Sequence, residues 1–347
     1  MTDFAANLAA DIGLFIIDTK IPSIDNATAS QNGQAIIEAI VKTGRNDALL
    51  LAISSYPEDF PNLRSIFEKH GCILADFREK SNWQSTLDHL LIQYKKTVRY
   101  DFLIFCALQE ERNPYISMFD DGQHTIRTNI DCFDIDIGNR RGSVVLLPKM
   151  GLVNAAITAS VCIERFMPSI VAMSGICGGI APKAGLGQLV ISEMAYEYQS
   201  GKWSSDGFQQ EPYQVPTDHN LLNICNLLTN QQSILRKLED GFPGTRPSEQ
   251  HLPMPGIFTS GSAVIANSSL QAKISQAHRK VCALDMEVFA IQRAAQLSSC
   301  TPPCLCAKTV VDLCNNKKDD SIHHYGSYIS AKFVVMAIEN FFNSLPR

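Results

Sequence analysis

The stretch IVAMSGICGGI, residues 170–180, decides the fold prediction. Its four apolar residues Ile170–Met173 indicate a short buried strand, and the glycine-rich run Gly175–Gly179 follows almost at once. Glycine lets a ligand approach the backbone closely, and ligands of open α/β sheets bind beyond the carboxyl ends of the strands. We therefore expect a strand that leads into a glycine-lined binding turn, although many strand-to-helix turns need glycine for other reasons.

Short apolar runs upstream of this stretch predict a separate α/β domain. Leu14–Ile17 and Leu49–Ile53 alternate with amphipathic segments, which is typical of a parallel sheet covered on both faces. Trp83–Tyr94 has apolar residues on one helical face, and a polar, basic linker follows it. We expect a first domain over residues 1–96 and a second over residues 97–347.

The second domain is expected to be α/β with a central mixed sheet. Strands are predicted at Phe102–Leu108, Val144–Leu147 and Leu305–Val311, and a helix is predicted at Tyr328–Phe342. Gln199–Pro255 is rich in proline, serine, glutamine and glycine, so we expect a long surface excursion with one helical piece.

Composition excludes several classes of function. The 347 residues include 30 basic and 35 acidic side chains, a formal charge of −5, whereas a general nucleic-acid or anionic-membrane binder is expected to be basic. The first ten residues lack the basic cluster of a secretory signal, and no apolar run reaches the roughly 18 residues of a membrane span. The 11 cysteines include no CxxC pair or Cys/His cluster with the spacing of zinc ligands. We expect a cytoplasmic thiol protein with no metal, no other cofactor, and neither nucleic acid nor membrane as a partner.

Three carboxylates stand at or near predicted strand ends. Glu111 follows the first strand of the second domain, Asp312 ends its last strand, and Glu287 opens a helix. Around a glycine-lined pocket, such a set suits cleavage of a bond that needs a protonated leaving group and an activated water. Each also has a plainer explanation: Glu111 as a helix-start carboxylate, Asp312 as a helix cap and Glu287 as a solvated residue.

Separated motifs run in order through the second domain. They are Ala107–Glu111 (ALQEE), Gly151–Ala156 (GLVNAA), Ser174–Gly179 (SGICGG), Ser260–Ile265 (SGSAVI), Asp285–Glu287 (DME) and Val311–Asp312 (VD). In this order they resemble the purine nucleoside phosphorylase and nucleosidase superfamily, especially its methylthioadenosine/adenosylhomocysteine nucleosidase branch. The likeness covers about residues 100–345, and an ordered set is far more specific than any single motif.

The resemblance implies that Glu111 polarises the attacking water and that Asp312 protonates purine N7 as the base departs. It also implies a set of substrate-binding residues that hold the ribose or contact the adenine: Gly175, Val264, Ile265, Met286 and Glu287. Carboxylates suit this reaction because glycosidic cleavage passes through an oxocarbenium-like state. Two positions depart from the nucleosidases, which usually have Glu at Asp285 and Ser at Val311. The absent serine removes one hydrogen bond expected to orient Asp312.

The turn after the first strand favours water over phosphate as the nucleophile. A phosphorylase needs cations around inorganic phosphate, usually an arginine from this turn. Gln109–Glu111 stands there instead, and carboxylates repel phosphate but can activate water. The adjacent Arg112 keeps phosphorolysis as an alternative.

The segment after Asp312 differs from the small-nucleoside enzymes. DLCNNKKDD, residues 312–320, followed by Tyr325, is similar to phosphorylase-like effector domains fused to immune receptors and signalling modules. This likeness implies ATP as the substrate, with Lys317 and Lys318 meeting the polyphosphate as point charges. A solvated loop pair is the plainer interpretation of these lysines, and His323 is expected at the surface.

Residues 11–94 resemble the later part of a response-regulator receiver, which is a flavodoxin-like parallel sheet. In LFIIDTKIP, residues 14–22, Asp18 matches the phosphoacceptor, while Ser54 matches the hydroxyl residue and Lys80 the lysine on the last strand. The acidic metal ligands of a receiver's first strand have no counterpart. We expect either a truncated receiver or a degenerate one that serves for docking and dimerisation, with a purely structural α/β cap as the alternative.

These features together predict a receiver-like module that controls an adenine N-ribosyl hydrolase with an antiviral or growth-arrest role. ATP is the preferred substrate. The alternatives are a methylthioadenosine/adenosylhomocysteine nucleosidase, a purine nucleoside phosphorylase and a nucleotide sensor without catalysis. Expected partners are the purine substrate, a sensor kinase or phosphotransfer protein that addresses Asp18, and further copies of the chain in a homodimer or larger homo-oligomer.

Overall fold

Two sheets of different size organise two units of the chain, residues 1–98 and 99–347, in the computed structural model. The structure describes residues 13–20, 33–42, 48–96, 99–127, 129–205, 207–211, 213–265, 267–314 and 322–345. None of the helices in these ranges has the length and apolar character needed to cross a membrane.

The first unit is built on a parallel sheet of three described strands in the order β1-β2-β3. Alternate residues of β1 and β2, such as Phe15 and Leu50, are buried against Ile37, Ile40 and Phe67 of the covering helices. The elements are β1 (Leu14–Asp18), α1 (Gly33–Lys42), β2 (Leu49–Ser54), α2 (Phe60–Glu68), β3 (Ile73–Asp76) and α3 (Lys80–Lys96).

The placement of Lys80 on the last strand of this sheet was wrong. Strand β3 ends at Asp76, whose carboxylate accepts hydrogen bonds from the Arg78 backbone N–H at 2.9 Å and from its guanidinium at 3.1 Å. This turn ends the strand, and Lys80 becomes the first residue of α3. Asp18 and Ser54 are the last residues of β1 and β2, at the carboxyl edge of the sheet.

The second unit holds a ten-stranded mixed sheet covered by helices. Its strands are β4 (Phe102–Cys106), β5 (Gln123–Arg127), β6 (Ile130–Ile137), β7 (Arg140–Leu146), β8 (Ile170–Gly179), β9 (Leu189–Glu197), β12 (Gln214–Pro216), β13 (Met254–Ser260), β14 (Val281–Asp285) and β15 (Cys304–Asp312), with β10 (Gly201–Ser204) and β11 (Gly207–Gln210) as a separate hairpin. The helices are α4 (Gln109–Met118), α5 (Leu152–Phe166), α6 (His219–Thr229), α7 (Ile234–Glu239), α8 (Ser268–Ser275), α9 (Val288–Leu297) and α10 (His323–Ser344).

The middle of this sheet closes on itself. Strand β15 pairs with both β8 and β9, while β13 and β14 complete the circuit between β9 and β8. Because β4, β8 and β15 run parallel, their carboxyl ends lie at one edge. The glycine-rich turn expected after residue 173 is itself part of β8, which continues to Gly179.

Gln199–Pro255 is more regular than a surface excursion. It contains β10, β11, β12, α6 and α7, and the apolar faces of α6 and α7 bury Leu221, Leu228 and Leu238 in the main core with α10. The one helical piece that was expected corresponds to α6 and α7, but the expectation of a surface excursion was wrong because these helices pack into the core. All 11 cysteines are free thiols.

Candidate active site

A cavity of about 230 Å³ lies at the carboxyl ends of β4, β8, β14 and β15. Glu111, Glu287 and Asp312 all line it, although they are separated by up to 201 positions in the chain (312 − 111). The strand ends bring them together, as the parallel arrangement requires. The expected substrate-binding residues Val264, Ile265 and Met286 also line this cavity.

Glu111 is buried and held by three backbone amides. Its Oε2 accepts hydrogen bonds from Ala107 N at 2.7 Å and Leu108 N at 3.0 Å, and its Oε1 accepts one from Ile176 N at 2.9 Å. Burial raises the pKa of Glu111 to about 7, which outweighs the lowering effect of Lys308. A carboxyl group with this pKa can accept or release a proton near neutral pH.

Gly175 makes room for this carboxylate instead of lining the cavity. A β-carbon at Gly175 would collide with Glu111 Oε1, whereas the neighbouring Ile176, Cys177 and Gly178 line the cavity. The glycine at this point of β8 is therefore required by the close approach of Glu111. Its expected role at the ribose stays a prediction.

Lys308 neutralises two carboxylates at the floor of the cavity. Its Nζ lies 2.8 Å from Asp285 Oδ2 and 2.9 Å from Glu287 Oε2, and all three side chains are almost fully buried. Burial alone would lower the pKa of Lys308, but Asp285, Glu287 and Glu111 raise it well above its usual value. The lysine is therefore a fixed positive charge.

Lys308 was not predicted as a site residue, although the sequence contains a signal for it. It stands in the middle of CLCAKTVV, residues 304–311, an otherwise apolar strand in which a lysine must be paired if it is buried. Its partner Asp285 accepts more hydrogen bonds than Glu287 does. Asp285 accepts hydrogen bonds from Ser260 Oγ at 2.6 Å and from Val288 N at 2.9 Å, so it fixes the start of α9.

Glu287 joins three elements of the site. It immediately precedes α9, its Oε1 accepts a hydrogen bond from Gly151 N at 2.8 Å, and its Oε2 meets Lys308. An ionised carboxylate has about four acceptor positions, so Glu287 retains capacity for ligand hydroxyls.

Asp312 ends β15 at a shift in strand register after Val310. Its Oδ1 accepts a hydrogen bond from Cys314 N at 2.7 Å. Within the described part of the chain this is the one hydrogen bond of the carboxylate, which leaves Oδ2 for a ligand. Val311, where a serine was expected from the family, lines the cavity beside it.

A family model of the phosphorylase superfamily matches residues 101–341. The chain belongs to the phosphorylase superfamily. The match spans the strands and helices that carry all three carboxylates of the cavity.

Similar proteins include the y4jS protein of Sinorhizobium fredii, 33% identical over 57% of this chain and 49% of its own length. The ATP nucleosidase Cap17 of Escherichia coli is 26% identical over 65% of this chain and 46% of its own. The chain thus spans about half the length of these curated relatives. The 5′-methylthioadenosine/S-adenosylhomocysteine nucleosidase of Neisseria meningitidis, solved with methylthio-immucillin-A, shares the fold, with a TM-score of 0.56, 19% identity, and coverage of 69% of this chain and 98% of its own.

His323, expected at the surface, is partly exposed and lines the cavity. It is the first residue of α10, and its Nδ1 lies 3.1 Å from Glu110 Oε1. This contact was not predicted, because Glu110 is 213 positions away in the chain. Folding brings the start of α10 against the start of α4.

Arg112, on which the alternative of phosphorolysis rested, faces away from the cavity. Its guanidinium pairs with Asp131 at 2.6 Å and with Gln109 Oε1 at 2.8 Å. Lys308 is the one lysine or arginine among the described residues that line the cavity, and it is already paired. Lys317 and Lys318 lie outside the described residues.

The receiver-like positions of the first unit are engaged within that unit. Ser54 Oγ accepts hydrogen bonds from Thr19 Oγ1 at 2.6 Å and from Tyr56 N at 3.1 Å, and Asp18 Oδ1 accepts one from Lys20 N at 3.0 Å. The described residues contain no group of three or more His, Cys, Asp or Glu placed to hold a metal ion. The receiver identity of this unit stays a prediction.

Proposed function

We propose that the chain hydrolyses the N-glycosidic bond of an adenine nucleoside or nucleotide. The observation that carries this proposal is the convergence of Glu111, Glu287 and Asp312 on one cavity. Membership of the phosphorylase superfamily and the nucleosidase names of its relatives support the same reaction. The reaction uses water and protein side chains alone.

In the proposed mechanism, Glu111 and Asp312 act on opposite sides of the bond. Water attacks the anomeric carbon of the ribose as the bond to purine N9 breaks, Glu111 takes the proton from water, and Asp312 gives a proton to N7. Glu287 holds the ribose hydroxyls, and Val264, Ile265 and Met286 enclose the base and the sugar. A base with a pKa of about 7 is well matched to proton transfer near neutral pH.

Water is the proposed nucleophile because no unpaired lysine or arginine lines the cavity, in the part of the chain that the structure describes, to hold inorganic phosphate. Lys308 is held by two carboxylates, and Arg112 is turned toward Asp131. Phosphate entering this site would meet carboxylates first. Phosphorolysis remains the alternative, which sugar-phosphate analysis of the products tests directly.

ATP is the proposed substrate, with adenine and ribose 5′-triphosphate as products. The likeness to an ATP nucleosidase and the presence of a separate α/β unit support this choice. Lys317 and Lys318 are proposed to contact the polyphosphate, and the setting is proposed to be a cytoplasmic antiviral response. A receiver-like role for the first unit would make Asp18 the target of a sensor kinase or phosphotransfer protein, with Ser54 and Lys80 beside it.

Methylthioadenosine or adenosylhomocysteine is the second candidate substrate. Leu108, Met150 and Ile176 line the cavity and offer an apolar surface to a thioether. The cavity volume of about 230 Å³ is also below the usual range for drug-sized ligands, which favours a compact nucleoside.

Free adenine, measured after incubation with each substrate in turn, separates these candidates. The purified chain is given ATP, methylthioadenosine or adenosine, each with and without inorganic phosphate. Adenine from ATP supports ATP as the substrate. Adenine from methylthioadenosine alone would show that the second candidate is the substrate instead. Ribose 1-phosphates that appear only when phosphate is present would show that the reaction is phosphorolysis and not hydrolysis. Binding of a nucleotide without any adenine release would indicate a non-catalytic sensor.

We further propose that the chain forms a homodimer through α5. Val153, Ile157 and Val161 are 68%, 61% and 45% exposed and lie at fourth positions along one face of this helix. Met150, just before α5, is 44% exposed and also lines the cavity, so the apolar surface continues to the active site. A second copy on this surface would cover apolar residues and border the cavity.

A further inference from the structure

Helix α8 holds the ends of two active-site strands through the side chain of one glutamine. Gln271 Nε2 donates to Gly179 O at 3.1 Å and to Leu313 O at 3.2 Å. Gly179 is the last residue of β8, and Leu313 directly follows Asp312, the last residue of β15. An amide nitrogen has two N–H groups, so each of them serves one carbonyl. The amide orientation is fixed, because a reversed side chain would place its oxygen against two carbonyl oxygens.

The hydrogen bond to Leu313 O acts on Asp312 through a single peptide group. The carbonyl of Leu313 and the N–H of Cys314 belong to the same planar peptide, and this N–H donates to Asp312 Oδ1 at 2.7 Å. Because the group is rigid, holding the carbonyl also fixes the direction of the N–H. This N–H makes the one hydrogen bond of the Asp312 carboxylate within the described residues, so the orientation of Oδ2 toward a ligand depends on the same peptide.

This peptide lies where regular strand pairing has ended. Strand β15 ends at Asp312 after a shift in its register against β8, and Cys314 has a φ of 52°, in the left-handed region. A non-glycine residue keeps such a conformation only when surrounding contacts hold it. Val311 stands where the family resemblance implies a serine that orients Asp312. Gln271 supplies an orienting hydrogen bond from a different element.

We propose that Gln271 is the positioning residue for Asp312 and thereby makes the site selective for bases with a hydrogen-bond acceptor at N7. This inference rests on the proposed function, in which Asp312 gives a proton to purine N7. Gln271 lies outside the residues that line the cavity, so it acts through the peptide of Leu313 and Cys314. A donor at the carbonyl also polarises this peptide, which strengthens the hydrogen bond from its N–H to Asp312.

Calorimetric titration of the full chain with adenine and with 7-deazaadenine tests the orientation of Asp312 without turnover. 7-Deazaadenine has the shape of adenine but carries a C–H in place of N7, so it cannot accept a proton from Asp312. The wild type should bind adenine about tenfold more tightly than 7-deazaadenine, the contribution of one hydrogen bond. Gln271→Met keeps the length of the side chain without an N–H, and it should reduce this ratio to about threefold or less while 7-deazaadenine binds as before.

Gln276→Met is the matched control for the binding experiment. Gln276 is an exposed glutamine at the end of the same helix, and its replacement should keep the wild-type ratio of affinities. The same ratio in Gln271→Met as in the wild type would overturn the inference. It would also be overturned by a wild type that binds both bases equally or neither, or by a Gln271→Met variant that loses affinity for both bases by the same factor.

Adenine release measures the effect of Gln271 on the proposed reaction. Gln271→Met should lower kcat about tenfold and leave KM within about twofold, because the missing hydrogen bond orients the proton donor in the transition state. Equal kcat in this variant and the wild type overturns the inference and leaves the nucleosidase proposal intact. If the wild type releases no adenine from any substrate, the nucleosidase proposal fails, while the ratio of base affinities still decides whether Gln271 orients Asp312.

Discussion

At the scale of single residues, Glu111 sets the expected pH dependence. Its raised pKa of about 7 means that the carboxylate, which we propose accepts a proton from water, is the minor form below pH 7. We predict that kcat/KM rises with pH and levels off above about pH 7, with one proton lost. Initial rates across this range measure the profile, and a rate that falls as pH rises through 7 would contradict it. Glu111→Gln should lower the rate on the plateau above pH 7 about 10²–10⁴-fold.

Replacement of Lys308 should strongly lower the free energy of unfolding. Lys308→Met leaves Asp285 and Glu287 buried without their cation, and breaking a buried ion pair in this way costs about 3–5 kcal/mol. Denaturant unfolding of the variant measures the change. Lys202→Met, an exposed lysine on β10, is the control and should leave the free energy of unfolding within about 0.5 kcal/mol of the wild type. Equal stability of the two variants would contradict this role.

The sequence predicted individual site residues where the chain marks strand ends. Glu111, Glu287 and Asp312 each follow an apolar run, so their placement near one edge of the sheet could be predicted from the sequence. The contact between His323 and Glu110 could not be predicted, because it joins the starts of two helices and depends on the path of α10. Lys308 could have been predicted from its position, because a charged residue in an apolar strand needs a buried partner of opposite charge.

At the scale of elements, the packing of β8 against the start of α4 depends on Gly175. Gly175→Ala would place a methyl group where the Glu111 carboxylate lies, so the carboxylate must move. A displacement of about 1 Å can cost about 10²-fold in rate, and we predict a loss of this order in kcat. Gly138→Ala, in an open turn with φ of 62°, is the control for backbone strain without a collision. Steady-state kinetics of both variants decide the point: equal rates would refute the requirement for glycine at 175.

Element prediction failed where local pattern and tertiary contact disagree. The hairpin of β5 and β6 was not predicted, because its mostly exposed first strand, QHTIR at residues 123–127, has little apolar content and is held by pairing with β6. The segment from Gln199 to Pro255 was expected to run over the surface with one helical piece, yet α6 and α7 pack against α10 in the core. In the first unit, β3 stops at Asp76 through its contacts with Arg78, which no period of apolar residues indicates.

At the scale of the whole molecule, the apolar face of α5 predicts self-association. Ile157→Lys places a charge in the middle of this face and should shift the protein from dimer to monomer. Ile126→Lys on β5, where the isoleucine is 78% exposed, is the matched control and should leave the dimer intact. Sedimentation velocity measures both. A wild type that sediments as a monomer at all concentrations would rule out the proposed dimer.

The central claim is that Asp312 supplies the proton with which adenine leaves, and adenine release by Asp312→Asn tests it most directly. Asparagine keeps the shape of the side chain and an acceptor for Cys314 N, but it cannot deliver the proton. With ATP as substrate, we predict release by the wild type and by the exposed control Asp136→Asn, and a rate about 10²–10⁴-fold lower for Asp312→Asn, with its unfolding midpoint unchanged. An Asp312→Asn variant that releases adenine at the wild-type rate would contradict the account.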